Sequence, residues 1–441
     1  MSRKRRIGEF VTSTLRVGAL QLRAHDRASF PDRRAALAAS VRAAAEGLDL
    51  LVLPEATLPG YVLGDAAIDD AAVAAALDEL ARIAKERGCA IVAGAAVRRD
   101  RALYNSAVVI DRDGSIAGSA DKLFLWHFDR KWFAPGERLA PVDTSLGRLG
   151  VLVCADGRMP AIARTLVDRG ASMLVMPTAW VTSGRDPSAL ENLQADLLAR
   201  VRAYENGVPF VAANKCGTER GMVAYCGKSQ IVDAAGETVA LASERHEERI
   251  TATLAIGTAR PRRAERPNVT PRGATAPAVV RVAFSLDALP ADIDERLAVL
   301  DADVAVSPSS PQGAAKLDRF LPTISLDAAL VEDPGTLVAY RSAGYRCAVL
   351  TSDEERPWLA ALARARAAEL RMYVVAFDRH AGRAFAVDPD GAIVAGTFDG
   401  FTLPSFALDT ARTLATTVAP ATDVAAGIER IASLARREAN A

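Results

Sequence analysis

The chain has 441 residues, of which 50% are hydrophobic and 24% are charged. This is more than one compact core usually holds, so we expect two domains or one large duplicated domain. Its 54 basic and 54 acidic side chains balance, which leaves no net positive field to attract nucleic acid or an anionic membrane. We therefore expect a small-molecule partner.

The five cysteines are odd in number and lack Cys-x-x-Cys spacing, which indicates free thiols in a reducing cytoplasm. Residues 1–14 start with basic residues but have no apolar segment behind them, so we predict a flexible tail rather than a signal peptide. No apolar stretch is long enough to span a bilayer. The four histidines form no metal-ligand pattern, and neither a metal nor a cofactor is expected.

Short apolar runs rich in β-branched residues alternate with alanine-rich helical segments over residues 15–258. Such alternation is typical of a layered α/β domain. Turn signals at 113–114 and 235–236 follow apolar runs and predict hairpins, hence a mixed sheet. The predicted strands are 16–20, 50–53, 90–93, 107–110, 150–153, 173–176 and 210–213, and the predicted helices are 33–45, 71–86, 161–168 and 191–206.

Residues 259–277 are rich in Arg, Pro, Thr and Gly and are predicted to be an interdomain linker. The remainder, residues 278–441, resembles a degenerate repeat of the first half. Five segments match in the same order: 15–20 with 280–285, 49–55 with 303–309, 151–158 with 349–356, 199–205 with 363–369, and 231–236 with 386–391.

The copy keeps apolar strand positions and turn residues but loses polar ones. Glu55 aligns with Ser309, and Cys154 aligns with Ser352. We therefore predict that 278–441 is a degenerate domain that retains the scaffold without its chemistry.

Three polar residues of the first half, Glu55, Lys122 and Cys154, follow strand-like runs. Open α/β sheets place their sites at strand ends. A thiol is a strong nucleophile only as the thiolate, so Cys154 needs a base, such as Glu55, and a nearby cation, such as Lys122. Taken singly, each residue also suits a structural role as a packed thiol, a helix cap or a solvated amine.

Together, these residues and their surroundings resemble the nitrilase superfamily, the carbon–nitrogen hydrolases with a Glu-Lys-Cys triad. The resemblance covers residues 15–258 and implies a catalytic domain with a four-layer α-β-β-α sandwich. The matching motifs are Pro54-Glu55 with Gly60-Tyr61, Asp121-Lys122-Leu123, Cys154-x-Asp156-x-Arg158-x-Pro160, the strand end 177–180 and the helix 202–206.

The resemblance implies that Glu55 is the general base and that Cys154 attacks the carbonyl carbon of the substrate. Lys122 and the backbone N–H of Ala155 would stabilise the oxyanion, and a thioester would follow release of ammonia or an amine. Family members usually carry a second glutamate after the lysine. Asp129 takes its place with a shorter reach, and a misplaced acid would slow catalysis.

The Cys-Ala-Asp sequence at the nucleophile resembles amidases and carbamoylases, whereas nitrilases usually follow the cysteine with Trp-Glu. Arg158 suits a substrate carboxylate or, equally, an ion pair with an acid such as Asp156. An aromatic cluster either lines the substrate pocket or packs its own loop; its members are Phe124, Trp126, His127, Phe128, Trp132 and Phe133. The predicted substrate-binding residues are Tyr61, Trp126, Ala155, Asp156, Arg158 and Trp180.

We therefore expect hydrolysis of a linear amide or N-carbamoyl compound. The alternatives are nitrile hydrolysis, acyl transfer to an acceptor other than water, and a catalytically silent scaffold. Nitrilase-like sandwiches pair through helices, so the second half is expected to supply that surface within the chain as an intramolecular pseudo-dimer. A homo-oligomer remains the other arrangement.

Overall fold

The computed structural model describes residues 13–65, 67–184, 188–265, 267–273, 277–397 and 402–439. The predicted tail lies outside the described residues up to residue 12, and residues 13 and 14 open the first strand. The chain divides into two compact units, and Arg262–Glu429 form the second. The boundary after Pro261 falls inside the predicted linker, whereas residues from Arg430 onward group with the first unit and not with the second.

The first unit is an α/β structure. None of the described helices combines the length and apolarity needed to cross a bilayer. Its strands are β1 (Ser13–Arg23), β2 (Leu50–Val52), β3 (Ala90–Arg99), β4 (Ala102–Ile110), β5 (Ile116–Asp121), β6 (Val142–Thr144), β7 (Gly147–Val151), β8 (Met173–Pro177), β9 (Phe210–Ala213), β10 (Lys215–Glu219), β11 (Val223–Cys226), β12 (Gln230–Val232), β13 (Thr238–Leu241) and β14 (Glu248–Ile256), and its helices are α1 (Phe30–Ala44), α2 (Asp70–Arg87), α3 (Pro160–Asp168) and α4 (Ala199–Asn206).

Two mixed sheets organise these strands. One has the order β11-β10-β1-β2-β3-β4-β5, with β14 also paired to β1, and the other has the order β13-β12-β9-β8-β7-β6. Strands β1 to β3 and β7 to β9 run parallel, whereas β4-β5 and β12-β13 form antiparallel hairpins. The predicted hairpins and mixed sheets are confirmed.

The layers follow from which faces are apolar. Helices α1 and α2 contact the first sheet, α3 and α4 contact the second, and β1 to β3 meet β8 and β9 between them, so the α-β-β-α sandwich is observed. In α2 the buried positions Val73, Ala76, Leu80 and Ile83 lie on one helical face. Burying each large aliphatic side chain contributes about 1.5–3 kcal/mol.

The second unit is also α/β. Its strands form sheets β16-β15-β22 and β17-β18-β19-β20-β21, beside a small β23-β24 hairpin. Its strands are β15 (Val279–Phe284), β16 (Val304–Val306), β17 (Thr323–Asp327), β18 (Cys347–Ser352), β19 (Tyr373–Asp378), β20 (Arg383–Val387), β21 (Ile393–Gly396), β22 (Ser405–Asp409), β23 (Thr417–Ala419) and β24 (Thr422–Asp423), and its helices are α5 (Ile293–Val299), α6 (Pro311–Leu317), α7 (Pro334–Ser342), α8 (Leu359–Leu370) and α9 (Thr410–Leu414). The last helix, α10 (Val424–Ala439), begins in the second unit and ends in the first.

The element order of the second unit repeats that of the first. The series β7-α3-β8-α4-β9 with β12 and β13 corresponds to β17-α7-β18-α8-β19 with β20 and β21. The register agrees, because Leu149 pairs with Met173 as Thr323 pairs with Cys347. Likewise, β1 lies between β2 and β14 as β15 lies between β16 and β22.

On this correspondence, the expected alignment of Cys154 with Ser352 is wrong. Cys154 opens a 3-10 turn between β7 and α3, and the turn in the same place, Ala328–Glu332, opens with Ala328. Ser352 ends β18, which corresponds to β8. Buried parallel strands share an apolar composition, so a short Val-Leu match selected the neighbouring strand.

Candidate active site

The predicted catalytic residues lie together in the first unit. Lys122 Nζ is 2.8 Å from Glu55 Oε1 and 2.6 Å from Asp129 Oδ2, and all three side chains are fully buried. Cys154 is 6% exposed and lies close enough for the charges of Glu55 and Lys122 to shift its pKa. The structure therefore brings Glu55, Lys122, Asp129 and Cys154 into one buried cluster.

Glu55 reaches this cluster because β3 has a glycine where the chain after β2 crosses it. A Cβ on Gly94 would lie 2.3 Å from the carbonyl oxygen of Pro54 and 2.5 Å from the Cα of Glu55. Those contacts are too short for any side chain. The Glu55 N–H also donates to the carbonyl of Thr178 at 3.2 Å, which fixes the residue to the end of β8.

The two carboxylate oxygens of Glu55 have different environments. Oε1 accepts from Lys122 Nζ at 2.8 Å and from Asn105 Nδ2 at 2.6 Å. Oε2 is buried and has no hydrogen-bond partner among the described residues. A buried acceptor without a partner is costly, and this oxygen is available to take a proton. Sequence reasoning missed Asn105. A polar amide inside the buried strand β4 was the signal that could have identified it.

Lys122 is held as an ammonium. Burial alone would lower its pKa, but the carboxylates of Asp129 and Glu55 outweigh burial and raise the pKa well above its ordinary range. Asp129 reaches Lys122 despite its short side chain. Its Oδ1 accepts from the Tyr61 hydroxyl at 2.9 Å, and its Oδ2 accepts from the backbone N–H of Trp126 at 2.8 Å.

Cys154 follows β7 and has a φ of 47°. This left-handed conformation is unusual for a residue with a side chain and recurs at active sites. Burial raises the pKa of the thiol, Glu55 raises it further, and Lys122 lowers it in part. The side chain is therefore a neutral thiol at rest, and attack on a substrate requires a base.

Asp156 was predicted to bind substrate, and the structure gives it a different role. It is 2% exposed; Oδ1 accepts from the N–H groups of Leu123 (3.0 Å) and Phe124 (2.7 Å), and Oδ2 from that of Val153 (3.1 Å). Burial raises its pKa to about 7, against the effect of these hydrogen bonds. Asp156 thus ties the segment after Lys122 to the turn that carries the thiol.

Among the other predicted substrate-binding residues, Tyr61, Ala155 and Trp180 are buried, whereas Arg158 and Trp126 contact each other. Tyr61 is buried with its ring centroid 5.6 Å from Lys122 Nζ, whereas the guanidinium of Arg158 stacks 4.4 Å from the ring centroid of Trp126. Trp180 is 1% exposed, and its indole N–H has no hydrogen-bond partner within the described ranges. Ala155, directly after the thiol, is buried.

A second buried lysine–glutamate pair, missed by sequence reasoning, supports the Tyr61 segment. Lys215 Nζ is 3.2 Å from Glu219 Oε2, and Glu219 Oε1 accepts from the N–H groups of Tyr61 (2.8 Å) and Val62 (2.6 Å). The Tyr225 hydroxyl donates to Glu219 as well. The signal was a lysine two residues after the apolar strand β9.

A cavity of about 550 Å³ lies beside the aromatic cluster. Its lining includes Phe128, Trp132, Lys131 and Arg220. Phe128 packs with its ring centroid 5.3 Å from that of Tyr61 and 5.4 Å from that of Trp132. The cluster therefore both packs its own loop and lines a cavity next to a residue of the buried site.

Known proteins are similar to this chain over the first unit. The carbon–nitrogen hydrolase family model matches residues 16–264. A nitrilase of Pyrococcus abyssi is 34% identical over 47% of this chain and 76% of its own length. An (R)-stereoselective amidase of a Pseudomonas species is 32% identical over 43% of this chain and 68% of its own.

Among solved structures, the amidase of Nesterenkonia sp. AN1, crystallised with acrylamide, is 28% identical, covers 54% of this chain and 90% of its own, and has a TM-score of 0.49. The family model matches more than half of the 441 residues. The protein belongs to the carbon–nitrogen hydrolase family and is an enzyme of that family.

Proposed function

We propose that the protein hydrolyses a linear amide or N-carbamoyl compound through a thioester on Cys154. The observation that carries this proposal is that the two carboxylate oxygens of Glu55 have different environments. One carboxylate oxygen is held by Lys122 and Asn105, and the other is buried without a partner among the described residues. A fixed carboxylate with one available oxygen is suited to serve as a general base.

In the first step, Glu55 Oε2 takes the thiol proton while Sγ of Cys154 bonds to the carbonyl carbon. The electron pair of the C=O bond moves to oxygen, where the ammonium of Lys122 and the N–H of Ala155 stabilise it. Such a donor contributes about 3–4 kcal/mol to the transition state. Because Lys122 is already charged and fixed by two carboxylates, it needs no reorganisation when the oxyanion forms.

In the second step, the C–N bond breaks, and the nitrogen leaves with the proton that Glu55 had taken. A water molecule then attacks the thioester while Glu55 accepts one of its protons. The C–S bond breaks, the sulfur regains a proton, and the carboxylic or carbamic acid is released. Each half-reaction thus returns Glu55 to its ionised form, so one residue serves as base and acid in turn.

Amide chemistry is favoured over nitrile chemistry by the residues that follow the thiol. The turn reads Cys-Ala-Asp, and the carboxylate of Asp156 is committed to three backbone N–H groups. The amidase relative supports the same class, whereas the nitrilase relative supports the alternative. The stacked Arg158 is the candidate partner for a substrate carboxylate.

The test is a panel of primary amides, N-carbamoyl amino acids and nitriles with ammonia as the readout. We expect release from an amide or carbamoyl substrate, loss of at least about 10⁴-fold in Cys154→Ala, and unchanged rates in Cys89→Ala, another buried thiol of the first unit. Release from nitriles alone would replace the proposed substrate class. Turnover that survives Cys154→Ala would overturn the mechanism.

A further inference from the structure

The segment that carries Lys122 is closed by an arginine from the far end of the chain. Arg430 of α10 donates through Nη1 to the carbonyl of Leu123 at 2.7 Å and through Nη2 to the carbonyl of Gly136. Gly136 in turn donates its N–H to the carbonyl of Lys122 at 2.9 Å. Arg430 belongs to the first compact unit but lies outside residues 16–264, which match the family model.

The backbone groups around Lys122 show what this contact adds. The Lys122 N–H donates to the carbonyl of Asn105 at 2.8 Å, and the N–H groups of Leu123 and Phe124 donate to Asp156. These bonds fix the segment against β4 and against the turn of the thiol. The carbonyl of Leu123 accepts from Arg430 instead. The guanidinium therefore adds a partner to this segment besides β4 and the turn of the thiol.

A half-buried guanidinium is well suited to this task. Its planar fork presents N–H donors to two carbonyls in a fixed geometry, whereas the single nitrogen of a lysine ammonium lacks that fork. The Leu123 and Gly136 carbonyls lie on the two ends of the loop that begins after Lys122, and the loop contains Asp129, the second carboxylate on Lys122. One side chain therefore fixes both ends of the loop that holds the ammonium in place.

We propose that Arg430 is a positioning residue that holds Lys122 against Glu55 and Cys154, so that the catalytic site of the first unit is completed by the last helix of the chain. This proposal rests on the proposed function for its effect on turnover. Its structural part, the fixing of the 122–136 loop, stands independently. A shift of about 1 Å at such a site costs roughly 100-fold in rate.

The experiment compares Arg430→Ala, Arg430→Lys and, as the matched control, Arg436→Ala, an exposed arginine of the same helix, all in the full-length protein. Three quantities are measured: turnover, the rate at which iodoacetamide alkylates Cys154 at pH 8, and amide hydrogen exchange over residues 122–136. The unfolding midpoint in urea monitors global stability.

We expect Arg430→Ala to lower turnover by about 10- to 100-fold, to slow alkylation of Cys154 and to speed exchange in the loop, with KM little changed. Arg430→Lys should recover part of each effect. Arg436→Ala should leave turnover, alkylation and exchange unchanged. Wild-type turnover, alkylation and exchange in Arg430→Ala would overturn the proposal. So would losses that follow the unfolding midpoint and are not recovered by lysine.

The two proposals fail separately. If the wild-type protein hydrolyses no substrate but Arg430→Ala still slows alkylation and loosens the loop, the proposed function fails and the positioning role stands. If hydrolysis is robust and unaffected by Arg430→Ala, the positioning role fails alone.

Discussion

The two units carry the same buried arginine–glutamate pair on corresponding helices. In the first unit, Arg202 of α4 is paired with Glu205, and its Nε donates to the carbonyl of Gly157 at 2.9 Å. In the second, Arg366 of α8 is paired with Glu369, and its Nε donates to the carbonyl of Val331 at 3.2 Å.

Both pairs anchor the 3-10 turn that follows the first parallel strand of a sheet. The turn holds Cys154 in the first unit, whereas in the second it opens with Ala328. We propose that the second unit is a duplicate that kept the anchor of the turn after losing the nucleophile. A buried ion pair near a site can thus belong to the scaffold, and the chemistry depends on the few residues added to it.

After loss of the nucleophile, the largest expected effect comes from removing the Lys122 ammonium, which belongs to the first unit. Lys122→Met should lower turnover by at least about 10³-fold because it removes an oxyanion donor. It should also destabilise the unit by about 3–5 kcal/mol, since two buried carboxylates lose their cation. Steady-state kinetics and urea unfolding measure both. Lys316→Met, at an exposed position of the second unit, should change neither quantity, and near-wild-type turnover in Lys122→Met would refute the assigned role.

The next test concerns the buried arginine–glutamate pair that both units share. Arg202→Met and Arg366→Met should each destabilise the chain by about 3–5 kcal/mol, because each removes the arginine from a buried arginine–glutamate pair. Only Arg202→Met should reduce turnover as well, since Gly157 lies in the turn of Cys154. Urea unfolding and steady-state kinetics on both variants check this. Equal losses of turnover would show that the second unit supports catalysis and would break the contrast between the two anchors.

The smallest effect concerns acid stability. Burial and the charge of Lys215 lower the pKa of His25 from 6.5 to about 4. The unfolded chain therefore takes up a proton below pH 6.5 that the folded unit refuses, so stability is lost as the pH falls from 6.5 towards 4. At pH 4.5 this amounts to about 2–3 kcal/mol.

His25→Gln should flatten that loss, whereas His380→Gln, at an exposed position of the second unit, should leave it intact. Urea unfolding at pH 7 and pH 4.5 checks this by tryptophan fluorescence, which reports mainly on the first unit because three of the four tryptophans lie there. An unchanged pH dependence in His25→Gln would assign the acid sensitivity elsewhere.

The alternation of apolar runs and helical segments predicted a layered α/β structure, and the resemblance to the nitrilase superfamily predicted that Glu55, Lys122 and Cys154 form one site. Apolar runs predicted strands β2 and β7, and Glu55 and Cys154, which follow them, lie together with Lys122. Residue type alone could not distinguish a carboxylate that faces substrate from one that holds backbone, which is why Asp156 was assigned to substrate. Its three N–H partners come from two separate segments that only the fold brings together.

Side-chain contacts with distant backbone carbonyls were beyond prediction for the same reason. Nothing in the composition of α10 indicates that Arg430 reaches the carbonyl of Leu123, because a carbonyl acceptor has no sequence signature. The misalignment of Cys154 with Ser352 has a related cause. Strands β7 and β8 are both apolar and parallel, and only the strand register shows which one corresponds to β18.

A thioester on Cys154 is tested most directly by trapping the acyl group on this thiol of the first unit. The protein is mixed with an amide substrate, quenched in acid within milliseconds and digested for mass spectrometry. We expect an acyl mass on the peptide that contains Cys154, sensitive to hydroxylamine as a thioester should be, and none on the second unit's Cys347. Turnover without an adduct on Cys154, or an adduct on another residue, would contradict it.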